Sequence, residues 1–180
     1  MAASSSSIAE TVILTDNDTD NDTNVNSRYA FFKNVLGSPK FVTAPMVDHS
    51  ELSYRLLTRR YGATLTYTQM FSSNCFSESK FVRDQLFQTC PEDRPLIVQF
   101  AGHDPQVLLA AARHVQDHCD AIDINLGCPQ GIAKRGRYGA YLMEELDLLH
   151  DIVSTLVNGL KVSHAELLGS GSVVGRTHRR

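Results

Sequence analysis

The chain has 180 residues, a formal charge of −3, 42% hydrophobic and 21% charged residues, the balance of an ordinary globular domain with an apolar core. No apolar run approaches the roughly 18 residues that a membrane span needs, and the charge does not announce a nucleic-acid binder. A closed (β/α)8 barrel, at ~250 residues, is longer than this chain.

Residues 1–27 carry five acids (Glu10, Asp16, Asp18, Asp20, Asp22), no base and few large apolar side chains. Such a segment cannot bury enough surface to offset its ordering entropy, so a disordered acidic, Ser-rich tail is expected. A transit peptide would be rich in Arg and poor in acids, yet the first base is Arg28. The four cysteines (Cys75, Cys90, Cys119, Cys128) form no C-x-x-C pair, so neither a zinc site nor another metal site is expected. They suit a reducing compartment, cytoplasmic or nuclear.

From residue 28 the pattern alternates short apolar runs with amphipathic ones. Residues 41–44 (F-V-T-A), ending at Pro45, are expected as a first strand. Asp48 and Glu51 have the spacing of a capping box, followed by Leu52, Leu56, Leu57 and Tyr61 at helical spacing and Gly62 as a stop. Residues 64–68 (T-L-T-Y-T) predict a second strand, and 71–95 a long, polar, irregular insertion. Residues 96–100 (L-I-V-Q-F) are the clearest strand. Asp104-Pro105 opens a helix running to about Asp117, residues 121–125 form a fourth strand, and 144–156 a further helix. Short buried strands alternating with helices imply a parallel α/β sheet of about four strands.

Parallel α/β proteins place their chemistry at the C-terminal ends of strands, which selects Pro45 and Met46, Gln69 and Met70, Gln99, and Asn125 to Cys128. There Cys128, stiffened by Pro129, is either a reactive thiol or a small residue fitted to a tight turn. Gln99 and Asn125 are either readers of a flat heterocycle or loop-capping amides. Pro45 and Met46 offer an apolar bed and a backbone amide under a ring, or merely end a strand. Lys134, Arg135 and Arg137 either meet phosphates or form a solvated loop. Arg59-Arg60 and Glu144-Glu145 sit at helix ends that favour their charges, and His49 has no evident partner, so none is assigned a function.

Together, A-P-M-V-D-H-S-E-L-S-Y-R-L-L (44–57), Y-T-Q-M (67–70), R-P-L-I-V-Q-F (94–100) and D-I-N-L-G-C-P-Q-G-I-A-K-R-G-R-Y-G-A (123–140) closely resemble the tRNA-dihydrouridine synthases, most of all the eukaryotic subgroup acting on uridines 16 and 17. The resemblance covers about residues 30–156. It implies the N-terminal half of an FMN-dependent (β/α)8 TIM barrel over residues 28–156, with NADPH as reductant and tRNA as partner. By position it implies Cys128 as the acid that protonates uracil C5, with Pro45 and Met46 against the flavin. It also implies Gln99 on the flavin ring edge, Asn125 placing flavin or uracil, and Lys134 and Arg135 near tRNA phosphates. Another flavin barrel, of the dihydroorotate dehydrogenase type, fits the A-P-M-V-D start and the K-R-G loop less well.

Residues 157–180 match no part of the family pattern and are expected to be a divergent tail on a truncated barrel. An incomplete barrel would leave its inner face to water and its sheet edges open, inviting self-association. It would also lack the phosphate-gripping loops, so weak or no FMN retention and low activity are expected, the alternative function being a non-catalytic fragment that binds RNA or a partner subunit.

Overall fold

The computed structural model describes residues 30–161. The expected tail over 1–27 and most of that over 157–180 lie outside the described residues. In chain order the elements are α1 (Ala30–Asn34), α2 (Leu52–Arg60), β1 (Thr66–Ser72), α3 (Ser73–Glu78), α4 (Lys80–Leu86), a 3-10 turn (Pro91–Asp93) and β2 (Leu96–Ala101). They continue with α5 (Pro105–Arg113), β3 (Ala121–Ile124), α6 (Gly131–Gly136), a second 3-10 turn (Gly139–Glu144) and α7 (Leu146–Gly159). Among these residues no helix is long and apolar enough to cross a membrane.

The sheet has three parallel strands in the order β1-β2-β3. The expected strand at 41–44 is reduced to one parallel bridge, Val42 to Leu65. Two features explain the difference. The Lys40 and Phe41 amides donate to the Thr64 side chain rather than to a strand, and Phe41 and Val42 remain exposed at the uncovered flank of the sheet. β1 starts later than its β-branched run suggests and continues through Ser72, because Met70, Phe71 and Ser72 pair with Gln99, Phe100 and Ala101. Its register slips between Tyr67 and Met70, placing two residues, Thr68 and Gln69, opposite Val98 alone. This β-bulge re-aims the strand at its functional end.

β2 is buried along its whole length, as its near-continuous apolar run requires in the middle of a parallel sheet. One face of the sheet packs Phe71, Val98, Phe100, Ile122 and Ile124 against α3, α5 and α7. The Asp104 carboxylate caps α5 through the amides of Gln106 (2.8 Å) and Val107 (3.0 Å), which fixes the helix start that Asp104-Pro105 predicts. The stretch 71–95 is not an irregular insertion. Phe76 is fully buried and stacks on Phe71 at 4.9 Å and edge-on to Phe100 at 5.3 Å, so α3 belongs to the core. Polar residues between the aromatic ones conceal this in the sequence.

The other face changes character along the strands. At the N-terminal end Leu65, Ile97 and Ala121 pack with Phe31 and Leu36, so α1 plugs this end with its single buried aromatic ring. Towards the C-terminal end stand Met70, Gln99 and Asp123, then Asn125. This face does not meet water as expected: Ile97, Gln99, Ala121 and Asp123 are all buried.

α2 also departs from its pattern. It starts at Leu52 with no side-chain cap, since Asp48 adopts a positive φ of 60° and its amide donates to Gln69 instead of forming a capping box. It ends as Gly62 predicts: φ is +100°, and the amides of Gly62 and Ala63 close on the carbonyls of Arg59 and Thr58. Leu57 and Tyr61 are exposed, whereas Arg55 is buried. Arg55 is tolerated there by Asp93, whose carboxylate accepts from Arg55 Nε at 3.0 Å and Nη2 at 2.7 Å. Arg59, at the helix end, donates to Thr66 Oγ1 and to the carbonyls of Asp93 and Pro95. Burial works to lower its basicity, and the Asp93 charge opposes that.

Candidate active site

Asn125 organises the strand ends. Its Oδ1 accepts from the backbone amides of Gly127 (2.9 Å) and Cys128 (3.2 Å). Backbone N–H groups cannot accept, so the amide is held one way round, and Nδ2 points away from them. There it donates to Met70 Sδ at 2.7 Å and to Cys128 Sγ at 3.2 Å. The thiol thus receives a hydrogen bond, which leaves its own S–H to point elsewhere, and no acceptor for it lies among the described residues.

The loop beyond is held by its own chain. Ala140 N donates to Cys128 O and Gly139 N to Asn125 O, both at 3.1 Å. Gly139 has a φ of +68°, and a Cβ there would collide with the Cys128 carbonyl oxygen. Tyr141 Oη closes the loop onto Pro129 O at 2.9 Å. Cys128 is therefore presented half-buried on a braced turn.

One register step away, Gln99 Nε2 donates to Asp123 Oδ2 at 2.6 Å, with both residues buried. Asp123 Oδ1 has no partner among the described residues. Burial raises the Asp123 carboxyl to about 7, against which the Gln99 hydrogen bond acts. Burial and the Asp123 charge together push the Tyr67 hydroxyl above its ordinary range.

Of the residues singled out from sequence, Gln99, Asn125 and Cys128 stand on one side of the sheet, with Met70 between them. Pro45 and Met46 are half-buried at the turn 46–50, which is tied to β1 through Asp48 N and Gln69 Oε1 at 2.9 Å. The Met46 amide is not available to a ring: it donates to Ser50 Oγ, and the Met46 carbonyl accepts from His49 and Ser50. Lys134 and Arg135 are exposed in the last turn of α6, not in an irregular loop, with Lys134 Nζ 5.8 Å over the Tyr141 ring. Arg137 pairs with Glu145, which precedes α7 rather than lying in its first turn. His49 is exposed, its ring nitrogen near Val47 O.

Sequence reasoning missed two participants. Asp123 carries a signal in retrospect, since a strand period of two puts it on the face of Asn125 amid apolar neighbours. Arg55 shares a helical face with Leu52, Leu56 and Arg59, a place where a cation needs a carboxylate. Met70 is among the strand-end residues that the sequence selects, and the structure sets its sulfur against Asn125 Nδ2. No group of three metal-capable side chains occurs among the described residues.

The family model described as Dihydrouridine synthase (Dus) matches residues 42–165. The chain is 55% identical over 130 residues to the Saccharomyces cerevisiae protein named tRNA-dihydrouridine(16/17) synthase, covering 71% of this chain and 31% of that one. It is 54% identical over 127 residues to a Rattus norvegicus protein of the same name with the suffix "-like", covering 69% and 29%. A human tRNA-dihydrouridine(20a/20b) synthase-like protein is 44% identical over 117 residues, covering 65% and 37%. The names of all three relatives include NAD(P). The chain thus spans about a third of the length of the curated relatives it matches.

Proposed function

The chain belongs to the dihydrouridine synthase family, and from that premise we propose that it carries the proton-donor half of an oxidoreductase site reducing uridine in the tRNA D-loop to 5,6-dihydrouridine, with NADPH as reductant. The sheet is read as part of a (β/α)8 barrel wall, in which the face bearing Gln99, Asp123 and Asn125 is the interior. One observation carries the reading: an amide that two backbone donors lock in place delivers its N–H to a half-buried thiol at the strand ends.

The residues present fit an FMN. The buried Gln99 amide and the unpartnered Asp123 Oδ1 are polar groups on a face otherwise sealed from water, and such groups call for a ligand with hydrogen-bonding edges. Gln99 would hold the ring edge, and the half-buried side chains of Pro45 and Met46 would lie against the ring. When bound, FMN supplies hydride transfer to uracil C6. Cys128 hands its S–H proton to C5, and Asn125 keeps the sulfur oriented throughout. Lys134 and Arg135, exposed beside this turn, contact tRNA phosphates. The uridine leaves its stack to reach the thiol, at a cost of a few kcal/mol. The four free thiols accord with a cytoplasmic or nuclear setting.

Incubating the protein with FMN, NADPH and an unmodified tRNA transcript, and counting dihydrouridine by mass, tests the reading. Cys128→Ala is expected to lower the rate ~10²–10⁴-fold. An undiminished rate removes the proton-donor role.

A second reading rests on the exposed apolar groove formed by Phe41, Val42, Leu57 and Tyr61 beside the open edge of the sheet. Here the chain is a non-catalytic component that associates with a second copy of itself. Sedimentation velocity decides it, since a monomer at all concentrations refutes this reading.

A further inference from the structure

We propose that Asp123 is a positioning residue: by holding the side-chain nitrogen of Gln99, it turns the carbonyl edge of that amide towards the ligand and so selects a heterocycle that presents an N–H there. The ligand part of this inference rests on the reading of Gln99 given above, while the Asp123–Gln99 part stands on the ligand-free structure.

A primary amide has two unlike edges, and nothing in its shape tells them apart. Asn125 is oriented by backbone donors, but among the described residues no backbone group orients the Gln99 side chain. Among the described residues its direction comes from Asp123 alone. An ionised carboxylate only accepts, so Gln99 Nε2 must face Oδ2, and Gln99 Oε1 must face away. No donor among the described residues is directed at that oxygen. Met70, level with Gln99 on β1, and Asp123, level with it on β3, flank it within the sheet.

The unpartnered Oδ1 shows how the arrangement survives near neutrality. A proton taken up there neutralises the buried carboxyl and leaves Oδ2 accepting from Gln99. Because burial brings the carboxyl to about 7, the strength of the hold changes with pH. The titratable neighbour that senses Asp123 is Tyr67 on β1, which stays neutral throughout this range. β2 contributes the uncharged Gln99, and beyond β3 the uncharged Asn125 contacts the Cys128 thiol.

The test follows the Gln99 side-chain NH2 resonances of the 15N-labelled protein without ligand. One proton is expected well downfield, and the pair titrates as a single curve centred near pH 7 together with the Asp123 carboxyl carbon. In Asp123→Leu the downfield shift and the titration vanish while the backbone spectrum is retained. A Gln99 NH2 pair with neither proton shifted downfield, and flat from about pH 5 to about pH 9 in the unaltered protein, overturns the proposal, and this result needs no variant to fold. Titration with FMN forms the second arm. Loss of one well-aligned hydrogen bond predicts about tenfold weaker FMN binding in Asp123→Leu. Equal affinity in the two proteins overturns the selection role. If neither binds FMN, the flavin reading of Gln99 fails, and the ligand-free titration alone decides the Asp123 role.

Discussion

Replacing Asp93 by Asn changes little volume and removes a negative charge from the place where two guanidinium groups converge. The Arg55 and Asp93 side chains are 3% and 0% exposed. Their fork includes Nε contacts of 3.1 and 3.0 Å and an Nη2 contact of 2.7 Å, while Arg59 Nε lies 3.9 Å from the same carboxylate. The Ser50 and Gln88 carbonyls would continue to accept from Arg55, at 2.7 and 2.8 Å, but carry no full charge. An unneutralised cation in a dry site costs about 3–5 kcal/mol, a large part of the roughly 5–15 kcal/mol that holds a domain together. The loss also reaches the site, because Arg55 grips the Ser50 carbonyl and Ser50 Oγ anchors the Met46 amide. Urea unfolding followed by circular dichroism measures the change from the midpoint at constant slope. Replacing both partners by apolar residues, Arg55→Met with Asp93→Leu, should restore most of the stability. A cost below about 1 kcal/mol for Asp93→Asn would show that the pair is solvated and refute the reasoning.

Asp123 gives stability an unusual pH dependence. Its folded-state value of about 7 exceeds the ordinary 3.8, so the folded form binds the extra proton and stability falls as pH rises from about 4 to about 7. At about 1.36 kcal/mol for each tenfold change in proton affinity, the rise sets a ceiling on the order of 4 kcal/mol, and urea midpoints across this range should fall less in Asp123→Asn; parallel profiles refute the reasoning. Gly139→Ala combines a strained φ with a collision on the Cys128 carbonyl, and is expected to cost about 1–3 kcal/mol and to change the alkylation rate of Cys128; an unchanged rate means the turn does not brace the thiol. Phe76→Ala opens a cavity between Phe71 and Phe100 and should cost about 3–5 kcal/mol by urea unfolding, whereas a neutral outcome would place α3 outside the core.

The strand-end rule applied to sequence alone brought out Gln99, Asn125 and Cys128, because short apolar runs locate strands and the following residues locate the mouth of the sheet. Asp104-Pro105 and Gly62 marked a helix start and a helix stop for local reasons, an N-cap carboxylate and a positive φ. What local pattern could not supply is partner identity. Thr64 drew the amides of Lys40 and Phe41 out of a strand, Phe71 and Phe100 recruited Phe76 into the core, and Asp93 allowed Arg55 to replace leucine on the buried side of α2. Each depends on a group distant in sequence, and so does the direction of the Gln99 amide. Residue type determined which groups can donate or accept, while tertiary packing decided which ones meet, and at Asp123 it also moved the ionisation of the carboxyl up to about 7 by withdrawing water from it.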